Sequence, residues 1–204
     1  MLNDKSSLGI LIDYRGLDAD SLIKKTVNVS DVNPFREGKG NVAFIGGGNY
    51  ASRVLIPAFK EAGGRLTTLV TSGGMSAVHH GKKNGFQRAS TDIEQALDVE
   101  TDTVVIATRH NLHAAQSIRA LENGKHVFVE KPLALNHDEI DSIEAAQRLS
   151  GTMVMVGYNR RFSPHIKKMK NLLDKKPVPK TFIMTMNAGE IPKDSWTQDE
   201  AIGG

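Results

Sequence analysis

The chain has 204 residues, of which 39% are hydrophobic and 24% are charged, and this is the composition of an ordinary globular protein. Its formal net charge of +3 comes without a dense basic cluster, which argues against nucleic acid as a partner. Cysteine is absent, which excludes a disulfide framework, a thiolate nucleophile and a zinc–sulfur site, and we expect no metal.

The chain carries no obvious targeting or membrane-spanning segment. No apolar stretch approaches the roughly 20 residues of a membrane helix. The start of the chain, residues 1–5, lacks an apolar run of the length that a signal peptide needs. We therefore expect a cytoplasmic protein without a membrane partner.

Residues 1–40 differ from the rest of the chain in their pattern of apolar and polar residues. They contain one short apolar run, residues 8–12, and end in a polar stretch that includes Pro34, Gly38 and Gly40. We interpret them as a preceding segment and a linker.

From residue 41 the pattern changes to short apolar runs that alternate with segments of helical period. Runs that are apolar on both faces are typical of strands covered by helices on two sides. The sequence predicts an α/β fold, a doubly wound parallel-sheet Rossmann domain over residues 41–157. The predicted strands are residues 42–45, 66–71, 104–107, 127–129 and 153–156.

Three helices are predicted between these strands. The first covers residues 50–62 and should be kinked by Pro57. Its apolar face would consist of Ala51, Val54, Leu55, Ala58 and Ala62. The second covers residues 112–122 and should end at Asn123 and Gly124. The third should begin at Asn136 with a capping box that includes Glu139, and turn Ile140, Ile143 and Leu149 inward.

The pattern breaks down after residue 157. A polar and aromatic stretch, residues 158–164, is followed by a basic helix and then by a predicted strand at residues 181–186. We interpret residues 158–204 as the start of an incomplete, truncated α+β domain.

A glycine-rich loop directly follows the first predicted strand. Residues 46–51 fit the pattern G-x-G-x-x-G/A between a strand and a helix, which is the context that dinucleotide binding requires. The first glycine permits a tight turn, and the second lets a pyrophosphate approach the backbone. The alternative is a glycine turn of purely structural purpose. On the functional interpretation the cofactor would be lined by Gly46, Gly48, Asn49, Tyr50 and Ala51.

The second predicted strand ends without the acidic residue that usually binds the adenosine ribose. Thr71 and Ser72 stand there instead, and their hydroxyls can donate to a ribose or to a 2′-phosphate. The alternative is that both are small turn residues. The cofactor is therefore NAD or NADP, and we lean slightly toward NAD.

Two more strand ends carry reactive side chains. Residues 108–113 follow one strand, and Glu130, Lys131 and Pro132 follow the next. Ligands of open parallel sheets lie beyond the carboxyl ends of the strands. Lys131 could therefore donate a proton or hydrogen bond to a substrate oxygen, unless it simply emerges into solvent.

Four motifs in order resemble the glucose–fructose oxidoreductase/inositol dehydrogenase (Gfo/Idh/MocA) family over about residues 41–200. They are residues 46–51, Ala107 and Thr108 followed by His113, residues 124–134, and residues 158–164. The resemblance implies that Lys131 is catalytic and lies at the nicotinamide with Glu130. It also implies that Ala107, Thr108 and His113 line the cofactor and that Arg160 or Arg161 borders the substrate. For His113, a helix-surface imidazole is the alternative.

The chain departs from that family in two ways. Family members are longer and contain a large open sheet through which they associate. They also contain an Asp/His pair that assists the lysine in proton transfer. In addition, residues 8–14 resemble the end of a zinc-type alcohol dehydrogenase domain, to which some relatives are fused. We therefore expect a piece of a longer chain that binds cofactor but does not turn over alone, and whose full-length form could be a homo-oligomer.

The function expected from these observations is NAD(P)-dependent hydride transfer at a hydroxyl of a small-molecule sugar, cyclitol or sugar nucleotide. The alternative is a non-catalytic dinucleotide-binding or sensor module. A sharp turn out of the strand, together with the resemblance, also predicts a cis peptide bond between Lys131 and Pro132.

Overall fold

The computed structural model describes residues 23–30, 40–187 and 189–203. One mixed sheet runs through the described part of the chain, with helices on both of its faces. Its strands are β1 (Thr26–Asn28), β2 (Asn41–Ile45), β3 (Arg65–Val70), β4 (Arg88–Ser90), β5 (Thr103–Ile106), β6 (His126–Val129) and β7 (Val154–Val156). The α-helices are α1 (Ile56–Glu61), α2 (Gly74–Asn84), α3 (His113–Glu122), α4 (His137–Ser150) and α5 (Pro164–Leu173).

The sheet has the strand order β1-β4-β3-β2-β5-β6-β7. Strands β2 to β7 pair in parallel, and β1 is added at the edge, antiparallel to β4. The chain winds outward from β2 to β4 and then crosses to β5 on the other side of β2. The predicted doubly wound parallel-sheet fold is therefore confirmed, and its switch point lies between β2 and β5.

The central strands are buried on both faces, which explains their continuous apolar runs. All five residues of β2 are buried. On one face, Phe44 packs edge-to-face against Phe59 and Phe86 at ring distances of 5.5 and 5.8 Å. On the other face, Ile106 and Leu121 belong to a second buried cluster beneath α3 and α4.

The helix after β2 is irregular at the place where Pro57 predicted a kink. Residues Ala51–Leu55 form a π-helical turn, in which the N–H of Ile56 bonds to the carbonyl of Ala51. Helix α1 follows without a break, and its second residue is Pro57, which has no N–H to continue the regular ladder; the wide turn lies directly before it.

This wider turn shifts the buried face of the helix. The single π turn inserts one extra residue and so rotates the rest of the helix. As a result, Leu55 and Ile56 are both buried. Of the apolar face predicted for this helix, only Ala51 and Leu55 are therefore buried. The members of that face that lie exposed are Val54, Ala58 and Ala62.

The ends of α3 and α4 agree with the predicted signals. Helix α3 stops before Gly124, which has a left-handed φ of +69°. At the start of α4, the Asn136 side chain accepts from the Glu139 N–H at 2.9 Å. The Glu139 carboxylate accepts in return from the N–H of Leu135 at 2.8 Å, one residue before the position that a capping box would use.

The inward face predicted for α4 was only partly right. Ile143 is buried, but Ile140 is 40% exposed and Leu149 is 90% exposed. The helix packs through Ile143 and Ala146 instead, which lie three residues apart on one side of it.

Three elements, β1, β4 and α2, have no pattern in the sequence that predicts them. Strand β1 joins the same sheet as the other strands, although its residues belong to the segment predicted to precede the domain. The apolar run of residues 8–12, on which the expected fusion to an alcohol dehydrogenase depends, lies outside the described residues.

Beyond β7 the chain forms the predicted basic helix, α5, but not the predicted strand. Residues 181–186 have no regular secondary structure. Ile183 is 93% exposed and Met184 is 68% exposed, and this segment pairs with no strand of the described sheet. Among the described residues, no helix is both long and apolar enough to cross a membrane.

Candidate functional site

The loop after β2 meets the end of β5 at the switch point of the sheet. Gly46 has a φ of +104°, and a Cβ on it would lie 2.3 Å from the carbonyl oxygen of Ala107. Its N–H donates to the Val70 carbonyl at the end of β3. Glycine is required at position 46 because the ends of three strands converge there.

Gly48 has no such internal reason to be glycine. A Cβ on Gly48 would meet no atom of the described residues within 4 Å, whereas one on Gly47 would lie 2.9 Å from the Thr71 methyl carbon. The backbone at Gly48 is therefore open to a ligand that must come closer than a side chain would allow.

The helix after this loop presents its amino end to the opening. Ala51 is 1% exposed and packs beneath the loop, whereas Asn49 and Tyr50 are exposed. The side chain of Tyr50, at this amino end, makes no capping hydrogen bond. The leading N–H groups of a helix have no helical partners and carry a partial positive charge, so these residues fit a pyrophosphate.

At the end of β3, Thr71 and Ser72 differ in whether their side chains are available to bind a cofactor. The Thr71 hydroxyl donates to the Gly73 carbonyl at 2.6 Å, and the Ser76 hydroxyl donates to the same oxygen at 2.7 Å. Ser72 is exposed. Residues 71–78 contain no carboxylate, so nothing in this stretch would repel a 2′-phosphate.

At the end of β5, helix α3 holds the outgoing loop. The Thr108 hydroxyl donates to the Gln116 side-chain oxygen at 2.8 Å. His113 is fully buried, with Nδ1 at 2.7 Å from the Pro132 carbonyl and Nε2 at 3.2 Å from the Thr108 carbonyl. Burial lowers the pKa of His113, against a raising effect of these carbonyls. A helix-surface imidazole is therefore excluded.

At the end of β6, Glu130 is buried and Lys131 is exposed. The predicted cis peptide between Lys131 and Pro132 is confirmed. Oε1 of Glu130 has no hydrogen-bond partner in the described part of the chain. Burial raises the pKa of Glu130, although the backbone N–H and the charge of Lys131 lower it.

The turn after β7 returns to the glycine loop. Asn159 donates from its side-chain nitrogen to the Tyr50 hydroxyl at 2.7 Å. Arg160 and Arg161 belong to the same 3₁₀ turn, Asn159–Phe162, and both are exposed. The structure thus brings this turn beside the amino end of the first helix.

Three parts of this edge were missed in the sequence. Gln116 lies on a helix and carries no motif. Gly157 lies against Glu130, since a Cβ on it would be 2.5 Å from Oε1 of that residue. Its position directly after a predicted strand could have indicated that it lies at this edge of the sheet. The segment around Trp196 folds back on the loop after β5: the Trp196 ring lies 4.9 Å from the His110 ring, and the His110 Nδ1 lies 2.6 Å from the Gly203 carbonyl.

Comparison with known families gives one match that covers more than half of the chain. Residues 40–158 match the family model described as the Gfo/Idh/MocA oxidoreductase family, NAD-binding Rossmann fold. The matched range runs from just before β2 to just after β7 and includes the ends of β2, β3, β5, β6 and β7 described above.

Individual relatives point the same way. The 1,5-anhydro-D-fructose reductase of Ensifer adhaerens is 25% identical over 63% of this chain and 39% of its own length. The scyllo-inositol 2-dehydrogenase (NAD(+)) of Bacillus subtilis is 36% identical over 44% of this chain and 27% of its own. The chain therefore spans well under half of these relatives.

A solved structure supports the fold. A 3-ketoreductase from Actinomadura kijaniata, crystallised with TDP-benzene and NADP, superposes with a TM-score of 0.63. It is 23% identical, and the match covers 69% of this chain and 45% of that one.

Proposed function

Because this chain belongs to the Gfo/Idh/MocA oxidoreductase family with its NAD-binding Rossmann fold, we propose that it binds NAD or NADP at the carboxyl edge of the sheet. It would serve an enzyme that transfers hydride at a hydroxyl-bearing carbon of a small sugar, cyclitol or sugar nucleotide. The observation that carries the proposal is the open backbone at Gly48, which the packing of the described residues does not explain.

The phosphates would be held by the glycine loop and the amino end of the first helix. Gly46 and Gly48 supply the turn and the close approach, and Asn49, Tyr50 and Ala51 supply the first helical N–H groups. When bound, the nicotinamide ring supplies or accepts the hydride. Its half of the cofactor would lie over the ends of β5 and β6.

On that side, Ala107 and Thr108 would line the cofactor, and Lys131 would face the substrate. An exposed ammonium at a strand end can hold a hydrogen bond to the reacting oxygen and pass a proton to or from it. Arg160 and Arg161 would border the substrate, because their turn lies beside the loop helix.

For the adenosine side, we propose that both cofactors are accepted. No carboxylate stands at residues 71–78 to select against a 2′-phosphate, and no arginine stands there to select for one. Ser72 is exposed and can donate to either form, whereas the hydroxyl of Thr71 is already bound to Gly73. The slight lean toward NAD rests on the absence of a nearby cation in this stretch of sequence.

We also propose that residues 158–204 begin a substrate domain. Phe182, Ile183, Met184 and Met186 are between 54% and 93% exposed, which is unusual for apolar side chains so close together. A further part of the protein that covers them would account for this exposure. A non-catalytic module is less well supported, since it would leave Lys131 without a role.

The test compares wild-type protein with Lys131→Met, which keeps length and removes the charge. Reduction of the nicotinamide is followed with a panel of sugars, cyclitols and sugar nucleotides, on this chain and on the full-length protein that we propose contains it. We expect the full-length rate to fall by about 10²-fold or more, with unchanged NADH affinity. Equal rates would remove Lys131 from the chemistry.

A further inference from the structure

We propose that His113 is a positioning residue that fixes the Lys131 loop against the loop after β5. Binding of the nicotinamide half of the cofactor would then depend on His113, and binding of its ADP-ribose half would not. The inference rests on the proposed function, since it assumes that a dinucleotide occupies this edge.

The imidazole is placed between the two loops. His113 is the first residue of α3, and its ring is fully buried. Its Nδ1 lies 2.7 Å from the carbonyl of Pro132, and its Nε2 lies 3.2 Å from the carbonyl of Thr108. One ring therefore contacts the backbone of both loops that would flank the nicotinamide.

These contacts restrain Lys131 on both sides. Before it, the N–H of Glu130 bonds to the Ile106 carbonyl at 2.9 Å and so continues the sheet ladder. After it, the carbonyl of Pro132 meets His113. Lys131 lies between these two anchors with an exposed side chain, so its backbone direction is set by them.

The same helix also holds the loop after β5 through a second contact. Gln116, three residues beyond His113, accepts from the Thr108 hydroxyl at 2.8 Å. The side chain of Thr108 is thus tied to the first turn of α3 independently of the imidazole. The loop after β5 is therefore held to α3 through Gln116. The contact that depends on the imidazole is the one with the carbonyl of Pro132 in the Lys131 loop.

A neutral imidazole at His113 suits the hydrogen bond to Pro132. A neutral imidazole carries one N–H, and the shorter of its two contacts places that N–H on Nδ1, donating to Pro132. The ring of His110 lies 5.7 Å away between centroids, and a charge on it opposes a second positive charge on His113. Burial acts in the same direction.

The phosphate side of the site does not use this clamp. The N–H of Gly46 bonds to Val70, and the N–H of Ser52 bonds to Gly48. Neither His113 contact involves these residues. Loss of the imidazole should therefore disturb one half of the cofactor site selectively.

The experiment measures the affinities of the whole chain for NADH and for ADP-ribose, which lacks the nicotinamide. His113→Leu should weaken NADH by about tenfold, the worth of one good hydrogen bond, and leave ADP-ribose within about twofold. His113→Asn, whose amide can donate from a position near Nδ1, should restore most of the loss. Leu121→Val, a core change at the far end of α3, controls for loosening of the helix and should leave the affinity ratio unchanged.

Equal weakening of both ligands by His113→Leu, or no weakening of NADH, overturns the inference. Wild-type protein that binds neither ligand would contradict the proposed function instead. Should His113→Leu not fold, His113→Asn and the imidazole ¹⁵N spectrum of the wild type decide. The expected tautomer carries the proton on Nδ1, and a proton on Nε2 would contradict the clamp.

Discussion

The carboxyl group of Glu130 occupies the space in which a side chain at Gly157 would begin. An ideal Cβ on Gly157 lies 2.5 Å from Oε1 of Glu130, well inside contact distance. The two residues come directly after neighbouring parallel strands, β6 and β7, and so fit against each other where those strands end.

This fit predicts coupling between the two positions. Gly157→Ala should destabilise the protein by about 1–3 kcal/mol through overpacking. Glu130→Ala removes the group that the new methyl would strike, so Gly157→Ala should cost much less in that background. Denaturant unfolding of the wild type, both single variants and the double variant measures the coupling. Strictly additive effects would mean that the two side chains do not compete for the same space.

The buried carboxyl also predicts a pH dependence of stability. The pKa of Glu130 is raised in the folded protein, so the folded state binds more protons than the unfolded state between its ordinary pKa and the raised value. Its contribution is therefore fully present below the ordinary pKa and is lost as pH rises through the folded one. Glu130→Gln, which cannot ionise, should become progressively more stable relative to wild type as pH rises above the ordinary pKa of a glutamate and through the raised pKa of Glu130. A stability difference that does not vary with pH would contradict the raised pKa.

The end of β3 predicts how cofactor choice can be changed. Ser72→Asp places a carboxylate where residues 71–78 have none, and it should repel a 2′-phosphate. We expect NADPH affinity to fall by about tenfold or more, as like charges lose roughly 1.4 kcal/mol, with NADH affinity little changed. Ser72→Asn has similar size and no charge, and serves as the control. Parallel losses for both cofactors would show that Ser72 does not lie near the ribose.

Much of the fold could be predicted because the central strands are buried on both faces. Strands β2, β3, β5, β6 and β7 appear in the sequence as apolar runs. Strands β1 and β4 have three residues each and include Thr26 and Ser90, whose hydroxyls bond to each other at 2.8 Å. Such strands are stabilised by their neighbours and leave no local pattern.

The candidate site also has a part that could be predicted from the sequence and a part that could not. The glycine loop and Lys131 come directly after their strands, so sequence alone could predict their place at one edge. The burial of His113 between Thr108 and Pro132 could not be predicted, because it depends on two loops that meet only in the folded chain. The shifted face beyond Ala51 depends on a π-helical turn, which helical periodicity does not anticipate.

The glycine loop provides the control for the central measurement. Gly46→Ala should lower the free energy of unfolding, because φ is +104° and the new Cβ would lie 2.3 Å from the carbonyl oxygen of Ala107. Gly48→Val should leave the melting temperature unchanged, because the corresponding space at Gly48 is open among the described residues.

The most direct test of dinucleotide binding is a calorimetric titration of NADH and NADPH into the wild type and Gly48→Val. We expect the wild type to bind at one site per chain and Gly48→Val to lose binding while remaining folded, because the added side chain fills the space reserved for the pyrophosphate. Unchanged affinity in folded Gly48→Val, or no binding by the wild type, would contradict a dinucleotide at this loop.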